Sequence, residues 1–179
     1  GMQVLTIHYL DSAFAEQTED VTMNGTTPVL TTATDISRVN YIHSGHSNVG
    51  SNGSAVGTVT VTDTGATTTF GQVDIGENEG QNIFWTVPAG KTAYITSVDY
   101  TSYDKNVIFA IQTTADNAGH YTGRGIYHHR HHATLRQTAF RADFAGPLVC
   151  EAMTDIMVTA LSSDGPGVTV SSFIQGWYE

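Results

Sequence analysis

The stretch Thr86-Val-Pro-Ala-Gly-Lys-Thr-Ala-Tyr-Ile-Thr-Ser-Val-Asp-Tyr-Thr-Ser-Tyr103 decides the fold class of this chain. Pro88-Ala89-Gly90-Lys91 is a turn, because proline presets φ and glycine takes a positive φ at no steric cost. Beyond it, Ala93, Ile95 and Ser97 fall on one side of an extended chain, and Tyr94, Thr96 and Val98 on the other. Both sides carry β-branched or aromatic residues, the composition of a strand packed on at least one face. A strand entered through a proline–glycine turn is scaffold rather than chemistry.

The same pattern recurs in both directions. Toward the C-terminus, Lys105 to Thr113 reads as a strand with Val107, Phe109 and Ile111 on one face. Gly125 to Phe144 reads as a long polar strand or a hairpin, and Pro147 to Ala152 as a short apolar segment. Asp155 to Ser162 alternates through Ile156, Val158 and Ala160, and a Gly165-Pro166-Gly167 turn leads to a last strand, Val168 to Tyr178. Toward the N-terminus, Gly57 to Thr62 and Thr67 to Val73 flank Asp63-Thr64-Gly65 as a hairpin. Ile36 to Ile42 and Pro28 to Leu30 read as strands, Val21 to Met23 runs into an Asn24-Gly25 turn, and Val4 to Tyr9 opens the chain as a strand. Asp11 to Glu19 has a capping residue and early acidic residues, so a short helix is expected there. Roughly eight to ten short strands with turns between them predict an all-β, jelly-roll-like antiparallel β-sandwich. The expected division is an N-terminal strand and short helix over 1–19, then a single sandwich domain over 20–179.

Composition narrows the function classes. Of 179 residues, 17 are Asp or Glu and 7 are Lys or Arg, a formal net charge of −10. That balance opposes nucleic-acid binding by phosphate neutralisation, and opposes an anionic membrane surface. Cys150 is the only cysteine, so an internal disulfide and the sulfur-rich zinc patterns are excluded; between Val149 and Glu151 it reads as a small buried hydrophobe. No apolar run approaches the roughly 20 residues of a membrane helix. No basic segment precedes an apolar one at the N-terminus, so no signal peptide is expected and the sequence reads as cytosolic at synthesis.

Several stretches resemble a family of marine tailed-phage virion proteins. They are Asp20-Val-Thr-Met-Asn-Gly-Thr-Thr-Pro-Val29, Thr34-Asp-Ile-Ser-Arg-Val-Asn40, Gly57-Thr-Val-Thr-Val61, Trp85-Thr-Val-Pro-Ala-Gly-Lys-Thr-Ala-Tyr94 and Met153-Thr-Asp-Ile-Met-Val-Thr-Ala160. The resemblance spans most of the chain from Asp20 onward and lies in strands and turns. It implies a virion structural component (head decoration, fibre or tail-associated) with no catalytic residues, localised to the virion. Its partners would be copies of itself as a homotrimer, other virion proteins and a host surface glycan, with the loops His43 to Ser54 and Ala115 to Gly125 facing them.

The conspicuous cluster outside that resemblance is His128-His129-Arg130-His131-His132. On a strand, a two-residue period puts His129 and His131 on one face, where neutral imidazoles can share a divalent metal ion. A polar strand at an exposed face or subunit contact explains the same residues, and the stretch lacks a nearby carboxylate ligand. A metal-dependent cupin-like enzyme wants a glutamate after the His-x-His pair and a histidine after the proline–glycine turn. Ala133 to Arg136 and Lys91 to Tyr94 supply neither. No Gly-x-Ser-x-Gly elbow is present, so no hydrolase is expected. Trp85, Tyr100 and Tyr103, with Tyr94, Trp177 and Tyr178, are candidates for a sugar-stacking platform, the mark of a carbohydrate-binding module. Glu77, Glu79 and Asp74 offer oxygen ligands for calcium, and His43 and His46 are candidate loop contacts.

Overall fold

The computed structural model describes residues 1–45, 53–80, 84–114, 127–162, 165 and 169–179; for Asp104, Tyr127, His128, His129, His132 and Gln137 it describes the backbone alone. The chain is all-β and antiparallel, and among the described residues there is no helix. It divides into two compact units, Gly1–Trp85 and Thr86–Glu179.

In the first unit, β1 (Val4–Leu10) lies between β2 (Glu16–Thr22) and β3 (Arg38–Ser44) in a three-stranded antiparallel sheet. Alternation sends Leu5, Ile7 and Tyr9 inward, where they meet Val21, Val39 and Ile42. A second sheet, β4 (Val59–Thr62) with β5 (Thr69–Val73), adds Val73 to the same cluster and packs Val59, Val61 and Phe70 against it. Two sheets sharing one apolar core make this unit a small β-sandwich. Ile42 is fully buried, and it leaves no room for side chains at two glycines. A Cβ on Gly80 would stand 2.5 Å from Ile42 Cγ1, and one on Gly71 would stand 2.9 Å from Cδ1.

The expected helix over Asp11 to Glu19 is a turn followed by β2. Asp11 Oδ1 accepts the N–H groups of Ala13 (2.8 Å) and Ala15 (3.0 Å), and Phe14 takes a φ of 60°. A side chain that captures its neighbours' backbone donors offers an alternative to helix. The ladder from Leu10↔Glu16 to Val4↔Thr22 then pairs the whole segment, whereas a single short helix is marginal by itself. Glu19 therefore sits inside a strand, and residues 1–19 are not a segment apart. The strand expected over Pro28 to Leu30 is also absent: Leu30 is 77 % exposed and has no ladder. The Asn24-Gly25 turn does form, with Gly25 at a φ of 58° and Thr27 N–H donating to Asn24 O at 3.0 Å.

The second unit is built on β7 (Ala93–Thr114), a strand of 22 residues. It is entered through the proline–glycine turn, where Lys91 N–H donates to Pro88 O at 3.2 Å and Gly90 has a φ of 73°. The two strands expected here are one. The joint is an irregularity between Ser102 and Asn106, where the Ser102 hydroxyl donates to Lys105 O and Tyr103 N–H donates to Thr169 O. On one side β7 pairs along its length with β8 (Tyr127–Cys150), from Ala93↔Cys150 to Thr114↔Tyr127. On the other it pairs first with β10 (Val170–Tyr178) and then with β9 (Asp155–Ser162), beside which lies β6 (Phe84–Thr86). Val98, Tyr100, Val107, Phe109 and Ile111 are buried along β7, with Leu135, Ala142 and Val158 from its neighbours.

β10 must shift register to follow β7, and the shift falls between Gln175 and Gly176. A Cβ at Gly176 would overlap the Tyr94 carbonyl oxygen and stand 3.0 Å from Ile95 Cα. Both obstacles are backbone, which cannot move aside alone. Gly176→Ala should therefore cost the upper end of roughly 1–3 kcal/mol, or more, the range of overpacked sites. Urea denaturation followed by tryptophan fluorescence measures the loss.

Candidate functional site

Chemistry-bearing side chains concentrate on the outer face of the first unit's three-stranded sheet. The register aligns Thr18, His8 and Tyr41 in one cross-strand row, and Asp20, Thr6, His43 and Glu79 in the next. Residues directly opposite on antiparallel strands are neighbours on one face. His8 Nε2 and His43 Nε2 are 3.0 Å apart, and the rings stack with centroids 5.1 Å apart. Tyr41 packs on both imidazoles, at 5.8 and 5.3 Å between centroids, and its hydroxyl donates to the Glu79 carboxylate. Thr6 Oγ1 donates to Asp20 Oδ1 at 2.5 Å. Glu16, Thr18, Tyr41 and Trp85 adjoin His8 in a shallow concavity of about 390 Å³.

Burial and then the neighbouring His43 hold the His8 imidazole below its ordinary value, against the upward pull of Asp20 and Glu16. Burial, then the hydrogen bond to Glu79, pushes Tyr41 up to about 12. Period two in Thr6/His8 and Tyr41/His43 is visible in the sequence. The pairing that joins β1 to β3 is not.

The residues expected from the sequence to carry function are dispersed. Tyr100 is fully buried, packed on Phe109 at 5.1 Å, so its ring face is closed to a sugar; this corrects its place in the stacking platform. Tyr103, three residues along β7, is 61 % exposed, and Trp85 is half-buried at the end of the first unit. His131 belongs to an aromatic cluster. It stacks on Tyr100 (5.9 Å) and Phe140 (6.3 Å), meets Phe144 edge-on, and its Nδ1 lies 3.3 Å from the Tyr100 hydroxyl.

The side chain of His129 lies outside the described residues, but its backbone is placed: Gln112 pairs with His129 and Ile111 with His131. Adjacent residues of β7 thus face residues two apart on β8, a bulge at Arg130 that interrupts the strict two-residue period. Among the described residues, no group of three or more His, Cys, Asp or Glu is arranged to hold a metal. The acidic turn is used internally: Asp74 Oδ1 accepts from Gln72 Nε2 at 2.7 Å, and Glu79 binds Tyr41. His46 and most of the two expected contact loops, 46–52 and 115–126, lie outside the described residues.

A second surface covers the outer face of the second unit. Val149, Tyr94 and Trp177 form one cross-strand row, with the two aromatic rings stacked 5.1 Å apart at 14°. Val149 and Trp177 are half-exposed, and Phe173 is 62 % exposed. Arg141 organises the polar rows beside them. Its Nε donates to Asp143 at 2.7 Å, and its Nη2 donates to Ser97 Oγ (3.0 Å) and Gln175 Oε1 (2.7 Å). Asp99 stands 3.7 Å from Nη1.

Comparison with protein-family models, with curated proteins and with solved structures gave no match.

Tyr41 and Tyr100 are both pushed up to about 12, and burial is the larger cause for each. A raised phenol pKa means the native state keeps its proton while the unfolded chain loses it. Stability from these residues is complete below the unfolded value of 10.0 and is lost as pH rises through about 12. Absorbance titration at 295 nm should show Tyr41 and Tyr100 among the late-ionising tyrosines. Glu79→Gln should bring only Tyr41 down toward the ordinary value.

Proposed function

We propose that this chain is a non-enzymatic virion structural subunit of a tailed phage, a jelly-roll-type sandwich that acts by self-association and attachment. The observation that supports this reading is the outer face of the second unit. Val149, Trp177 and Phe173 are large, apolar and substantially exposed there, and among the described residues β8 pairs with β7 alone. Exposed apolar patches beside an open strand edge mark association surfaces. The occupant we assign is a second copy of the same chain, closing as a homotrimer. That number is what the resemblance to virion proteins implies. Light scattering should give a mass near three times 19.2 kDa, and Phe173→Asp with Trp177→Asp should reduce it to the monomer. A wild-type monomer sinks the assembly reading. Dissociation of the wild type by a chelator, absent in His129→Ala with His131→Ala, would assign a metal to that tract.

The stacked Tyr94–Trp177 pair favours a second reading, a carbohydrate-binding module. A sugar's C–H face lies well on aromatic rings, and planar polar groups such as Arg141, Gln175 and Asp143 suit its hydroxyls. Saturable quenching of tryptophan fluorescence by neutral oligosaccharides, lost in Trp177→Ala, is the expected signature of that role in a monomer. Absence of quenching across a panel of host-surface glycans removes it.

A further inference from the structure

We propose that His8 and His43 form a binding site for a divalent transition-metal ion of the copper or nickel type. The site is separate from the histidine tract of β8 and independent of the assembly reading above.

His43 Nδ1 lies 2.9 Å from the Ser44 carbonyl oxygen. A carbonyl only accepts, so in the neutral ring the proton sits on Nδ1 and Nε2 keeps a free lone pair. His8 Nδ1 lies 3.3 Å from Thr18 Oγ1, a hydroxyl that can donate or accept. His8 therefore has two neutral forms. With its proton on Nε2 it donates to His43 and the pair is closed. With its proton on Nδ1, held by Thr18, both Nε2 lone pairs are open 3.0 Å apart, and a cation between them can be bound by both. Metal binding thus needs a tautomer shift in His8 and a turn of the Thr18 hydroxyl, with no net loss of a proton. An oxygen partner on the distal ring nitrogen is the usual support of a metal-bound histidine, because it fixes the tautomer and aims the ring.

The separation also suits one class of ion. Two nitrogens 3.0 Å apart subtend roughly 90–100° at an ion bonded to both at about 2.0–2.1 Å. That is the angle between adjacent ligands in tetragonal copper(II) or nickel(II), and it is tight for tetrahedral zinc. Both histidines come from paired strands of one sheet, so their backbones are fixed before the ion arrives. Two carboxylates, Asp20 and Glu79, occupy the same cross-strand row as His43 and lend the face negative charge. Neither completes a three-residue ligand group in the described geometry, so water fills the other positions.

The test is calorimetric titration of the full chain with Ni²⁺ and, separately, Cu²⁺, beside His8→Ala and His43→Ala. The histidine tract is intact in all three proteins, so it contributes equally. The expected result is a site in the wild type whose affinity falls about tenfold or more in each variant. A Ni²⁺-induced rise in thermal midpoint should vanish with it. Superimposable isotherms would overturn the proposal and leave the metal to other histidines. Should a variant fail to fold, paramagnetic broadening by Ni²⁺ in the wild type decides. Early broadening of the His8 and His43 ring protons upholds the site, and early broadening confined to the tract overturns it.

Discussion

Backbone pairing along β7 is the constraint on which the second unit depends. Its hydrogen-bonding groups are taken up by β8 on one side and by β10 and β9 in succession on the other. A strand paired on both sides can vary its outward side chains widely, because the ladder and the inward residues Val98, Tyr100, Val107, Phe109 and Ile111 already hold it. The cost appears where β7 changes its register with its partners. Gly176 is required at the β10 shift, and a bulge is required at Arg130 in β8. Both are places where a regular ladder could not follow the strand's twist and bend.

That division of labour explains what could be read in the sequence. Alternation located the β4–β5 hairpin and β9, because each turns one face toward the interior and a period of two is the imprint of that burial, and the Gly165-Pro166-Gly167 turn located β10. The proline–glycine and Asn24-Gly25 turns were legible for a local reason, the positive φ at Gly90 and Gly25. The helix expected after Asp11 failed because an aspartate that caps a helix and one that closes a β-turn look alike over a few residues. Only the ladder to β1, a long-range fact, separates them. Pairing likewise decided the candidate sites. His8 and His43 are 35 positions apart and meet through register, whereas His129 and His131, close in sequence, are separated in phase by a bulge the residue pattern does not announce.

The two outer faces differ in chemistry although both are built by cross-strand rows. On the first unit the rows are polar and titratable, with imidazoles, a phenol and carboxylates contacting one another. On the second, an aromatic and aliphatic row lies beside a guanidinium that binds four side chains on three strands. A guanidinium held this way is a fixed, planar feature of the surface rather than a mobile charge. Rigid, mixed surfaces of this kind suit recognition of a shaped partner.

Cys150 closes the β7–β8 ladder opposite Ala93, and burial pushes its thiol up to about 11. At neutral pH almost none of it is thiolate, the form that reacts with alkylating reagents or oxidants. The intact fold therefore shields its only sulfhydryl twice, by access and by ionisation. The thiol becomes a built-in clock for the end of the sheet: its modification rate counts the openings of that last β7–β8 pair, against a background in which no other cysteine reports.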